Sequence, residues 1–144
     1  MSKDSEQQTG YLNLPGAEPM QDRLDALDTE SGEEGWELLV IIGDDTVRLT
    51  ISRPHVVGRF VDGDDPSIPM LDLGPFDGYQ HGISRRHALI IRQGNFLYIE
   101  DQGSTNGTRI NSFQLTPRRK YRLHDGDKVE FSRLKTVFRL VRTE

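Results

Sequence analysis

The stretch Phe96-Leu97-Tyr98-Ile99-Glu100-Asp101, followed by Gln102-Gly103-Ser104-Thr105-Asn106-Gly107 and then Thr108-Arg109-Ile110, decides the fold. Residues 96–101 alternate: Leu97 and Ile99 fall on one face, and Phe96, Tyr98 and Glu100 on the other, as a half-buried strand requires. Gly-Ser-Thr-Asn-Gly is turn chemistry, because Gly and Asn accept positive φ and short hydroxyls bond locally to the backbone. Thr-Arg-Ile then resumes a β-rich run.

Outward from this unit the same texture holds from Trp36 to the end of the chain. The runs WELLVII (36–42), TVRLTI (46–51), HVVG (55–58), IPMLDL (68–73), HALIIR (87–92), FQL (113–115), KYRL (120–123), DKVEF (127–131) and TVFRLV (136–141) are short and rich in β-branched and aromatic residues. Gly-, Pro-, Asp- and Asn-bearing segments separate them. With 96–101 and 108–110 they make about eleven short strands, the pattern of an all-β sandwich or barrel. In the last run Phe138 and Leu140 are expected to face inward. No segment of this body carries a convincing helical apolar stripe, and no internal repeat is visible.

Residues 1–35 differ. They hold nine acidic residues against Lys3 and Arg23, with six Gly or Pro, so this stretch is expected to be a disordered acidic tail. Within it Met20, Leu24 and Leu27 allow at most a transient amphipathic helix. The body, 36–144, holds sixteen basic and fourteen acidic residues. That division argues against a nucleic-acid binder and leaves room for a local cationic site for a compact anion. The absence of cysteine excludes disulfides and thiolate chemistry. No secretory h-region and no apolar run of spanning length is present, so a cytoplasmic protein with no membrane partner is expected.

Chemistry-bearing residues concentrate in three loops: Gly58-Arg59, Ser84-Arg85-Arg86-His87 and Ser104-Thr105-Asn106-Gly107. If these lie at one end of a sandwich, guanidinium groups, hydroxyls and an amide converge. Arginine presents a fork matched to two phosphate oxygens. Serine and threonine add donors at low entropic cost, and asparagine can hold a peptide backbone beside the phosphate. No zinc-site spacing, Walker A, GxSxG or kinase motif appears, which argues against an enzyme.

Taken in order, Gly58-Arg59, Ser84-x-x-His87 and Ser104-Thr105-Asn106-Gly107, with Asn111 beyond, resemble a forkhead-associated (FHA) domain over about residues 36–142. The resemblance implies an eleven-stranded β-sandwich that binds phosphothreonine peptides through loops at one end, with no catalysis, metal or cofactor. It implies that Arg59 and Ser84 bind phosphate, that Arg85 adds a contact to it, that Thr105 lines the phosphothreonine pocket, and that Asn106 holds the peptide backbone. Gly58, His87, Gly107 and Asn111 match positions that shape the loops. Two departures stand out. The segment between Arg59 and Ser84 is long, with Phe76, Tyr79 and His81 in a Gly-rich stretch that is expected to be ordered. Asn111 is followed by Ser112, not by glycine, which accepts positive φ more readily.

The expected role is a signalling adaptor or regulator downstream of Ser/Thr kinases, working as a monomer on a phosphothreonine-containing protein. The alternative is a sandwich that binds partners independently of phosphate. Thr9 and Thr29 are candidate phosphosites, through which the tail becomes a ligand for the domain's own pocket.

Overall fold

The computed structural model describes residues 36–142. The expected tail over 1–35, with Thr9 and Thr29, therefore lies outside the described residues. Eleven strands follow one another: β1 (Trp36–Ile42), β2 (Asp45–Ile51), β3 (His55–Gly58), β4 (Met70–Asp72), β5 (Arg86–Gln93), β6 (Phe96–Asp101), β7 (Thr108–Ile110), β8 (Phe113–Gln114), β9 (Lys120–Arg122), β10 (Lys128–Phe131) and β11 (Leu134–Arg142). The only helical element among the described residues is one 3-10 turn, Gly74–Phe76, opened by Pro75.

The strands form two sheets, ordered β2-β1-β11-β10-β7-β8 and β4-β3-β5-β6-β9. Alternation along each strand supplies the filling. Leu38 and Val40 from β1, Phe131 from β10 and Phe138 from β11 face Val57, Ile90, Leu97 and Ile99 of the second sheet, all fully buried. Removing this apolar surface from water is the main favourable term, about 1.5–3 kcal/mol for each large side chain. Phe138 faces inward as its alternation implies, and Leu140 packs at the margin of the core.

Strand pairing gathers the functional loops. β5 runs antiparallel to both of its neighbours, β3 and β6, with Gly58 opposite Arg86 and Ala88 opposite Asp101. The end of β3, the start of β5 and the end of β6 therefore share one end of the sandwich. The turn between β10 and β11 closes over the same end, where Ser132 N donates to Gly107 O (3.0 Å) and Arg133 N to His81 O (3.3 Å). The opposite end holds the β5–β6 hairpin, to which the Trp36 indole is tied through Asn95 O at 2.8 Å.

Candidate functional site

The site begins where β3 runs into β5. A bulge between Val57 and Gly58 shifts the register there. A Cβ on Gly58 would collide with the Arg85 carbonyl oxygen, so only glycine permits this approach. Directly after it, Arg59 N donates to Arg85 O at 3.1 Å, locking the two loop starts together.

The Arg59 side chain is held at its neck. Its Nε donates to Ile83 O at 2.8 Å, and its guanidinium carbon lies 5.2 Å from the Tyr79 ring centroid. Its terminal Nη groups engage no acceptor among the described residues. The long 73–85 segment thus fixes the arginine while leaving the end of its fork free. That segment is ordered, as its composition suggested. The 3-10 turn passes into a second turn in which His81 N donates to Asp77 O (3.0 Å) and Ile83 N to Gly78 O (2.9 Å).

Ser84 bridges two loops. Its backbone N donates to His87 Nδ1 at 3.1 Å. Its Oγ accepts from Thr105 N at 3.1 Å, which leaves the hydroxyl hydrogen for a ligand. His87 is fully buried and stacks edge-on against Phe131, with ring centroids 5.7 Å apart. Because Nδ1 accepts, Nε2 carries the proton, and it donates to Gly107 O at 2.9 Å. Burial, opposed in part by the bond to Gly107 and by nearby Asp101, lowers the His87 pKa below its ordinary value. His87 is therefore a neutral strut between the Ser84 loop and the 102–107 loop.

The 102–107 loop hangs on Asp101, a residue whose importance the sequence reading missed. This buried carboxylate accepts from Gly103 N (2.9 Å) and Ser104 N (3.0 Å) through Oδ2, and from Ser104 Oγ (2.6 Å) and Thr108 Oγ1 (2.7 Å) through Oδ1. Ser104 Oγ in turn accepts from Gly107 N at 2.9 Å. Burial pushes the Asp101 pKa up, but these four donors outweigh it and hold the carboxyl below its usual range. The Asp-x-Gly-Ser order was the available clue, since Asp there caps a turn by bonding backbone N–H groups two and three residues on. Ser104 is thereby occupied within the loop, whereas Thr105 and Asn106 stand exposed at its tip. Asn106 Nδ2 donates to Gly82 O at 2.9 Å, and its Oδ1 has no partner among the described residues.

The structure thus gathers Arg59, Ser84, Thr105 and Asn106 at one end of the sandwich: Ser84 and Thr105 bond directly, while Arg59 and Asn106 are tied to Ile83 O and Gly82 O in the segment just before Ser84. Arg85 shares the backbone of this cluster, but its side chain turns outward to Asp64 at 3.4 Å. Gly107 has φ +88 at the loop's end. Asn111 stands apart from this cluster. It fastens the β7–β8 turn to β10 by bonds to Asp127 Oδ1 (3.0 Å) and from Lys128 N (2.9 Å). The result is a rigid cradle with a free guanidinium fork, a hydroxyl donor and an amide acceptor, a set suited to a tetrahedral oxyanion on an extended peptide.

The family model for the FHA domain matches residues 55–132. Among curated proteins, FraH of Nostoc sp. is 45% identical over 51 residues, which is 35% of this chain and 18% of that protein. The chain thus spans less than a fifth of this curated relative. Among solved structures, the FHA domain of CT664 from Chlamydia trachomatis is 25% identical with a TM-score of 0.56, covering 76% of this chain and 99% of that one. The FHA domain of FhaA, crystallised with the intracellular domain of Rv3910, is 26% identical with a TM-score of 0.50, covering 71% and 99%.

Proposed function

Because the chain belongs to the FHA domain family, we propose that the cradle at its loop end binds phosphothreonine in partner proteins and reports the action of Ser/Thr kinases on them. FHA domains are binding modules, and this chain is read as an adaptor without turnover. One observation carries the reading: Arg59 is anchored by its Nε on Ile83 O and the next residue, Ser84, by its Oγ on Thr105 N, while the Arg59 Nη groups and the Ser84 hydroxyl hydrogen have no partner among the described residues. A phosphate, with a charge near −2 and strong acceptor oxygens, fits that donor set. Charge-assisted hydrogen bonds of about 1.5–3 kcal/mol each, less desolvation and association costs, give roughly micromolar binding. The threonine methyl accounts for discrimination against phosphoserine. Absence of turnover fits His87, whose two ring nitrogens are already engaged, so that it has no nitrogen with which to activate the Ser84 hydroxyl.

The test is calorimetry with one peptide in phosphothreonine, threonine and phosphoserine forms. Only the first should bind tightly, and Arg59→Ala should abolish that binding with the fold intact by circular dichroism. Equal binding of all three forms would leave the phosphate-independent reading standing instead.

The chain's own tail is a second candidate ligand. Trp36, where the tail joins, sits at the hairpin end, and the cradle lies at the other end of β5, about 26 Å away for eight residues. Thr29 is seven residues from Trp36, at most about 25 Å of taut chain. Thr9 is 27 residues away, a length for which an unstructured chain would have a root-mean-square reach of roughly 30 Å. Thr9, on the longer tether, is the first of the two candidate phosphosites to test against the domain's own cradle. If the chain phosphorylated at Thr9 binds external phosphothreonine peptide as well as the unphosphorylated chain does, capture of the tail is wrong.

A further inference from the structure

β1 reads as a strand covered on both faces, yet the described residues cover only one. Leu38-Leu39-Val40-Ile41-Ile42 is a continuous apolar run, the pattern of a strand with no solvent side, whereas a strand with one wet face alternates, as β6 does. Leu38, Val40 and Ile42 fill the core, while Leu39 and Ile41 point outward and are partly exposed. The pairing register extends this outer patch across β11. Ile41 lies opposite Val137, and Glu37 opposite Val141, which is 44% exposed. Leu39 is diagonal to both valines, within reach of each. Four aliphatic side chains on two paired strands therefore share one outer face. None of the cradle residues Arg59, Ser84, Thr105 and Asn106 lies on either strand.

The patch has a basic rim. Arg48 and Arg139 flank Leu39 across the sheet, Lys128 lies beside Val137, and Lys135 stands two positions before Val137 on β11. Arg48 and Arg139 already meet Glu37 (3.1 Å) and Asp125 (2.8 Å). Lys128 and Lys135 are exposed and join no ion pair among the described residues. The chain itself carries a segment of matching chemistry. Residues 18–30 hold Glu18, Asp22, Asp25, Asp28 and Glu30 against Arg23 alone, and Met20, Leu24 and Leu27 have the spacing of one helical face. This segment rejoins the fold at Trp36, the first residue of β1. Nine residues separate Leu27 from Trp36, up to about 30 Å of extended chain, whereas Ile41 lies only about 17 Å along β1. As a helix, Met20 to Leu27 spans about 10 Å, against about 13 Å from Val137 to Val141.

We infer that residues 19–28 of this chain pack as a short amphipathic helix on the outer face of β1 and β11, with Met20, Leu24 and Leu27 on the aliphatic patch and neighbouring carboxylates toward Lys128 and Lys135. A helix this short is marginal alone in water, and burial of its apolar face is what stabilises it. Laid over the sheet, it forms a third layer and leaves β1 covered on both sides, as its sequence pattern requires. The contact needs no phosphate and uses no cradle residue, so it is separate from capture of a phosphorylated tail.

The chain has no cysteine, so Ala26→Cys gives a single attachment point for a nitroxide spin label, outside the Met20-Leu24-Leu27 face. In the full, unphosphorylated chain the label should broaden the NMR methyl signals of Leu39, Ile41, Val137 and Val141 and spare the amides of Ser84 and Thr105. Leu24→Asp, which lies outside the sandwich, should restore the methyl signals. Val137→Lys should restore those of Leu39 and Ile41 from the sheet side. Spin-labelled chain mixed with isotope-labelled chain that carries no spin label identifies the occupant. Sharp methyl signals in that mixture place the segment on its own domain, whereas broadened ones place it on a second copy and overturn the inference. Methyl signals that the label leaves sharp in the full chain, or that stay broadened with Leu24→Asp, overturn it as well.

Discussion

Replacing Asp101 by Asn tests whether one carboxylate holds up the recognition loop. Both oxygens of Asp101 are acceptors, each receiving two donors, with Gly103 N and Ser104 N on one and the Ser104 and Thr108 hydroxyls on the other. An Asn amide offers one acceptor and one donor. Whichever way it turns, one pair of donors faces an N–H group and two hydrogen bonds to a charged acceptor are lost. At about 1.5–3 kcal/mol each, and with the hydroxyls able to rotate toward other partners, the net cost is about 2–4 kcal/mol. The assay is urea denaturation at pH 7, paired with calorimetry on a phosphothreonine peptide well below the unfolding midpoint. Because the loop displays Thr105 and Asn106, affinity should fall at least ~tenfold even for folded protein. The pH dependence follows from the lowered pKa. The wild-type advantage is complete above the unfolded carboxyl value of about 3.9 and is lost as pH falls through the lower folded value. A variant within about 1 kcal/mol of wild type, or one that loses stability yet binds peptide unchanged, would refute this account of the loop.

Three further outcomes are expected. Gly82 has φ +84, and a Cβ there would come within 2.6 Å of Asn106 Nδ2; Gly82→Ala should displace the amide and weaken peptide binding about tenfold, as calorimetry will read. The two central residues of the β7–β8 turn, Asn111 and Ser112, have φ 50 and 75, so Ser112→Gly should raise the unfolding free energy by about 0.5–1 kcal/mol without changing peptide affinity. His87, its pKa lowered mainly by burial, contributes stability that is complete above the unfolded value near 6.5 and is lost as pH falls below it. Denaturation at pH 7.5 and 5.5 should show the loss, and an NMR titration placing the His87 imidazole at or above 6.5 would contradict it.

Much of the fold was legible because alternation and turn chemistry agree at each step. All eleven β-rich runs overlap strands, and Leu97 and Ile99 are buried while Phe96, Tyr98 and Glu100 face outward. Pairing was not legible, because a period of two fixes a strand's face but not its neighbour. Nothing local marks β4 as the parallel partner of β3. The run 68–73 shortens to Met70–Asp72 because Pro69 has no N–H for the ladder and Ile68 N turns back to Asp65 O. Residue types argued against a left-handed Ser112, and tertiary bonds overrode them: Asn111 is held to β10 by its N–H and by both ends of its amide. The cluster of Arg59, Ser84, Thr105 and Asn106 could be named from motif order. Its supports, Ile83 O, Gly82 O and Asp101, are backbone groups and a strand-end residue that become visible only once the loops meet.

The way the loops are fastened decides what kind of binder this is. Each loop is tied to another by an internal bond: the 59 backbone to Arg85, the Arg59 neck to Ile83, Ser84 to Thr105, His87 to Gly107, and Asn106 to Gly82. None of these bonds consumes the Arg59 fork or the Ser84 hydroxyl hydrogen. The ordering entropy that a mobile loop would lose on binding has therefore already been lost in folding, so a small anion can be held without a large buried area. The same fastening roots the cradle in the core, because His87 lies against Phe131, which packs on Phe138 between the sheets. The sandwich thus serves the cradle as its base, to which each tie among the loops leads back.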